Sequence, residues 1–243
     1  LSFPVRYGYQ LTEGRKIPKI PDDAPVLRWA TFLERGAEYH WKYAHPGKSE
    51  DPAVILYSGG TTGVTKGILL SNGNFNALAQ QILATNPMFV PGDRMLAVMP
   101  MFHGFGLGVS VHSMLFNGGR CLLVPRFTVQ SYAKLLKTSR CNYIAGVPTL
   151  YESLLRESSM EDADLSSLKG VFSGGDSLSV GLKKRFDAFL ARHNASVQIR
   201  EGYGTTECVT ASCLTPYHTY KEGSIGIPFP DTYYNSVRPA PPE

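Results

Sequence analysis

Between two apolar runs, residues 53–57 and 68–70, the chain reads Ser58-Gly59-Gly60-Thr61-Thr62-Gly63-Val64-Thr65-Lys66-Gly67. Its glycines let the backbone turn amides inward and approach a ligand closely. The hydroxyls of Ser58, Thr61, Thr62 and Thr65 add donors, and Lys66 adds a point positive charge. Binding a polyphosphate needs that combination. The same residues also suit a Gly/Thr-rich hairpin with a solvated lysine, and the stretch alone does not choose between the two. It does argue against a P-loop kinase, whose motif is GxxxxGK[ST]. Here Thr65 precedes the lysine where that motif has glycine, and Gly67 follows it where that motif has a magnesium-binding hydroxyl.

Two other stretches have similar chemistry: Ser173-Gly174-Gly175-Asp176-Ser177 and Gly202-Tyr203-Gly204-Thr205-Thr206-Glu207. Taken singly, each is also a plain tight turn. His103, inside Met99-Pro100-Met101-Phe102-His103-Gly104-Phe105-Gly106, is by itself most simply a core histidine satisfied by a backbone carbonyl.

Such loops need strands that end at them. Short apolar runs recur at residues 53–57, 95–99, 121–124, 143–145, 170–172 and 197–199, bounded by Gly, Pro or polar residues. They have the length of strands buried on both faces. Between them lie helical periods. Phe75, Leu78, Ala79, Ile82 and Leu83 form one stripe; Thr128 and Ser179 offer N-caps to two more helices. The alternation predicts an α/β fold with a mainly parallel sheet and helices on both faces. Ligands of such sheets bind outside the carboxyl ends of the strands. All three chemically unusual loops leave strand ends.

Residues 1–51 are poorly patterned and read as a connecting segment from a preceding subdomain, with a short helix around 29–39. Residues 52–235 read as one α/β subdomain, and 236–243 as a cut tail. The chain has 243 residues, 43% hydrophobic and 18% charged, which is ordinary for a globular domain. Its net charge of +4 suits a small polyanion, and no basic run points to nucleic acid. No apolar run is long enough to span a membrane, so at most peripheral membrane contact is expected. Cys121 and Cys141 sit in or beside apolar stretches, as buried free thiols of a reducing, cytoplasmic compartment would.

Tyr57 to Gly67 resembles the phosphate loop of the AMP-forming acyl-CoA synthetase and ligase superfamily, Tyr-Thr/Ser-Ser-Gly-Thr/Ser-Thr-Gly-x-Pro-Lys-Gly. Nine of eleven positions match; Gly59 and Thr65 depart. The likeness continues in order. Met99–Gly106 resembles the family's Pro-x-Phe-His segment at the mouth of the acyl pocket, and residues 146–155 its strand-to-helix passage lining the acid tunnel. Residues 172–178 resemble its Gly-Gly loop, with Asp176 where a small residue is commoner. Gly202–Glu207 is similar to Gly-Tyr-Gly-x-Thr-Glu, and residues 223–232 to Gly-Ser-x-Gly-x-Pro-x-Pro-Gly, with Asp231 for the last glycine.

The resemblance implies ATP, Mg²⁺ and coenzyme A as partners of a small carboxylic acid. In the family, the acid's carboxylate attacks the α-phosphorus of ATP, releasing pyrophosphate, and a thiol then displaces AMP. It implies catalytic roles for Lys66, Thr206, Glu207 and His103. Ser58, Gly60, Thr61, Thr62, Gly63 and Lys66 would meet the phosphates; Gly174, Gly175 and Asp176 the adenine and ribose; and Tyr203 would stack on adenine. Gly204, Thr205 and Thr206 would follow the α-phosphate, and Glu207 would hold the metal. No acidic residue occurs between Arg94 and Glu152 to pair an α-ammonium, which disfavours an amino acid and favours an apolar acid, a fatty acid first. The family's N-terminal portion and small C-terminal domain are expected beyond this chain. Two rivals stay open: a non-catalytic nucleotide-binding module, and a phosphotransferase that would release ADP.

Overall fold

The computed structural model describes residues 3–18, 20–21, 24–37, 39, 46–59 and 64–235. The chain divides into two compact units, residues 1–46 and 47–243. The first contains helices α1 (Phe3–Leu11) and α2 (Trp29–Gly36); α2 stops three residues short of the expected end.

The second unit opens with an antiparallel hairpin, β1 (Pro52–Ser58) and β2 (Lys66–Ser71), with Ser58 opposite Lys66. This corrects one expectation. Residues 53–57 are not a strand buried on both faces: Leu56 and Leu70 point into the core, while Ile55, Tyr57 and Leu69 are exposed. An apolar run hides this alternation, because nothing polar marks the outward positions.

Helix α3 (Asn72–Ala84) follows directly. Ser71 and Asn74 form a reciprocal capping box that satisfies its first free amide groups. The main sheet then builds in the order β4-β3-β5-β6-β7-β8-β9. Its parallel part comprises β3 (Arg94–Ala97), β4 (Arg120–Leu123), β5 (Tyr143–Gly146), β6 (Gly170–Ser173) and β7 (Ile199–Tyr203). Two short antiparallel strands, β8 (Cys213–Leu214) and β9 (Ile227–Pro228), complete it. β7 starts where the predicted run of residues 197–199 ends, because register with Val171 begins at Ile199.

The strand order reverses at β3, the kind of switch point beside which open α/β sheets bind ligands. One face packs against α5 (Val129–Ser139), α6 (Pro148–Leu155) and α7 (Val180–Arg192), with Tyr132, Tyr151, Phe186 and Leu190 fully buried. Thr128 and Ser179 cap α5 and α7 as the sequence predicts. The opposite face packs against the hairpin, α3, a π-helical segment (Phe105–His112) and α4 (Ser113–Phe116). Each large buried side chain contributes about 1.5–3 kcal/mol.

Candidate functional site

The carboxyl ends of β1, β6 and β7 converge on a cavity of about 460 Å³ on the α3 side of the sheet. Its mouth is polar and mostly exposed. Ser58, Gly59 and Lys66 come from the hairpin, and Gly174 and Gly175 follow β6. Gly204, Thr205, Thr206 and Glu207 follow β7, and His103 precedes the π-helical segment. Its interior is mostly apolar, with Ile82 and Leu83 from α3, Met95, Tyr143 and Phe172 from the sheet, and Val109, Leu214 and Phe229 around them; Asn86, Ser113 and Asn117 also line it.

The turn after β7 is held tightly. Thr206–Cys208 makes one 3₁₀ turn, and Val209 and Thr210 then both take left-handed φ, 55° and 79°. Two β-branched residues in that region cost on the order of 1–3 kcal/mol each. The turn folds back on Gly204 so closely that a Cβ there would lie 2.4 Å from the Thr210 carbonyl oxygen. The Thr205 amide donates to Cys208 Sγ at 3.2 Å, and the thiol donates back to the Thr205 carbonyl at 3.2 Å. Among the described residues, the buried Thr210 hydroxyl has no hydrogen-bond partner.

Glu207 is solvent-exposed, yet its carboxyl is held below the usual range. Its own backbone N–H contributes most, then the Thr205 hydroxyl, with Lys66 adding positive charge from across the mouth. Lys66 of the first loop and Glu207 of the last thus share one electrostatic environment. His103 is an exposed residue of the mouth and not a core histidine: its Nδ1 accepts the Phe105 amide at 3.1 Å. A neutral ring therefore carries its proton on Nε2.

Of the other predicted site residues, Gly60, Thr61, Thr62 and Gly63 lie outside the described residues. Tyr203 is half-exposed at the end of β7 and does not line the cavity. Asp176 is also off the lining, its carboxylate accepting the Ser177 amide at 2.7 Å. Residues 146–155, expected along the acid tunnel, do not line this cavity either: Leu150, Tyr151 and Leu154 of α6 pack into the core on the opposite face.

Sequence reasoning missed the cavity walls. Asn86, Phe89, Met95, Met114, Tyr143 and Phe229 line it, yet nothing in their residue types marks them as a wall. It also missed Arg200, which is 5% exposed on β7. Its guanidinium donates to the carbonyls of Thr215 at 2.8 Å and Thr85 at 3.1 Å, and to Asn86 Oδ1 at 2.9 Å. It thereby ties the end of α3, a cavity wall, to the sheet.

The family model for AMP-binding enzymes matches residues 10–239. The long-chain-fatty-acid–CoA ligase of Escherichia coli O6:H1 is 33% identical over 240 residues, 96% of this chain and 40% of that protein. ATP-bound MatB from Rhodopseudomonas palustris superposes with a TM-score of 0.66 at 27% identity, over 76% of this chain and 35% of MatB. A long-chain-fatty-acid–CoA ligase from Archaeoglobus fulgidus gives 0.66 at 26% identity, over 74% and 37%. The chain thus spans about 40% of the length of the curated relatives it matches.

Proposed function

The chain belongs to the AMP-binding enzyme family, and from that premise we propose that the intact protein is an AMP-forming acid–thiol ligase acting on an apolar carboxylic acid, a fatty acid first. One observation supports the reading: a single cavity has glycines, hydroxyls, a lysine and a glutamate at its mouth and a mostly apolar interior behind them. In this reading residues 52–235 hold ATP and the acid, coenzyme A is the acceptor, and the protein is cytoplasmic. Among the described residues no helix is long and apolar enough to cross a membrane.

Activating an acid this way is chiefly positioning and charge neutralisation at phosphorus. Lys66 and the Ser58 hydroxyl would meet the outer phosphates, and the Thr206 hydroxyl would donate to the α-phosphate. The His103 Nε2–H, at the mouth, would meet the acid's carboxylate on its way to the nucleotide. Gly174 and Gly175 would let backbone approach the nucleoside, with Tyr203 and Asp176 at its outer edge.

Magnesium needs only one or two carboxylates beside phosphate oxygens. The mouth fits that requirement, with Glu207 held ionised. Among the described residues no cluster of three or more His, Cys, Asp or Glu forms a self-contained metal cage. Glu207 would hold the ion, which when bound offsets the negative charge of the phosphates.

The test is acid-dependent pyrophosphate–ATP exchange by the intact protein. Lys66→Ala and Glu207→Ala are each expected to lower it by about 10²–10³-fold. Wild-type rates in both variants, or ADP as the product, would overturn the reading.

A further inference from the structure

The inner end of the cavity is built from aromatic rings. On β5, Ile144 faces the packed core of the opposite side, while Tyr143 and Ala145 face the cavity side. Tyr143 lies three residues below Gly146, or about 10 Å at the usual strand rise. Its ring is stacked with Phe172 at 6.2 Å and tilted against Phe89 at 5.9 Å, and all three line the cavity.

Gly170, the partner of Tyr143 on β6, makes the arrangement possible. A Cβ at 170 would lie 2.7 Å from the Tyr143 ring and 2.8 Å from that of Phe172, so both rings lean over the bare backbone there. Behind Phe172 stands the Arg200 guanidinium, 5.6 Å from the ring centre and committed to three carbonyl oxygens. An alkyl chain that reaches the Phe172 ring therefore has a fixed, charged group behind that ring. The buried Tyr143 hydroxyl has no hydrogen-bond partner among the described residues. What the residue contributes is therefore the volume of its ring.

We propose that Tyr143 is the floor of the acyl pocket and sets the maximum length of the fatty acid this protein accepts. The inference rests on the apolar-acid reading given above, and the two can fail separately. Saturated acids from hexanoate to stearate, titrated into the intact protein in the presence of Mg·ATP, test it. In the wild type, affinity rises about fourfold per methylene up to a limit and then falls. In Tyr143→Ala the limit moves to longer acids. In Tyr143→Phe, which keeps the ring, it stays where it was.

An unmoved limit in a folded Tyr143→Ala protein overturns the proposal. So does a limit that shifts in Tyr143→Phe, because the hydroxyl would then be recognising the acid. If the alanine variant does not fold, Tyr143→Leu is expected to give a smaller shift in the same direction, and no shift counts against the floor. Fatty acids that fail to bind the wild type at any length refute the apolar-acid reading itself, whatever Tyr143 does.

Discussion

Replacing Arg200 with methionine tests the tie between the sheet and the cavity wall. The substitution removes three hydrogen bonds donated by the guanidinium and leaves the carbonyl oxygens of Thr85, Asn86 and Thr215 without them. Bonds from a charged donor contribute about 1.5–3 kcal/mol each, so the gross loss is about 5–9 kcal/mol. Desolvation works the other way. Arg200 pairs with no carboxylate among the described residues, and burial lowers its pKa to about 10. Relieving that buried charge returns several kcal/mol. The net expectation is a loss of about 2–4 kcal/mol. Urea unfolding of this chain followed by circular dichroism measures it, with an unchanged m-value showing that the same surface is exposed. Arg200→Lys should lose nearly as much, because a point charge does not reproduce a planar fork with three aligned donors. A loss below about 1 kcal/mol in both variants would show that the end of α3 is held by its apolar contacts instead and that Arg200 is not the tie.

Two further expectations concern Glu207 and the four cysteines. Glu207 has a depressed carboxyl, so its contribution is present above the ordinary glutamate range and is lost as pH falls through its lowered value. Thr205→Val removes one of the groups that depress it and should move the acid limb of Mg·ATP binding to higher pH; an unchanged midpoint would remove Thr205 from the account. All four cysteines are free, with Cys141 and Cys213 each 1% exposed. A thiol reagent should therefore label Cys121 and Cys208 in the native chain and reach the other two only on unfolding, while rapid native labelling of all four would contradict the packing described.

What could be read in the sequence was local. The caps Thr128 and Ser179 sit at helix starts because their side chains bond amides within the same turn. The three loops at strand ends were recognisable because glycines, hydroxyls and charge interrupt apolar runs. What could not be read depends on partners distant in the chain. The hairpin looked like an interior strand because Ile55 and Tyr57 are as apolar outside as Leu56 is inside. Residues 146–155 matched a tunnel-lining segment, yet whether α6 covers one side of the sheet or the other is set by crossover topology. Arg200 reads as a charged residue at a strand edge; only β7's register beside Phe172 and its reach to Asn86 make it a buried tie. Tyr143 carries no sequence mark of a cavity floor.

The sheet divides this unit into two cores with different duties. On the side of α5, α6 and α7 the packing is continuous, and on the other side it surrounds the cavity. Substitutions that share no partners have nearly additive effects on stability. Changes at Tyr143 or along α3 should therefore alter what fits inside while leaving the far core intact. Such a partition makes a scaffold evolvable: related sequences can diverge in ligand preference through the walls of one face while the other continues to hold the fold.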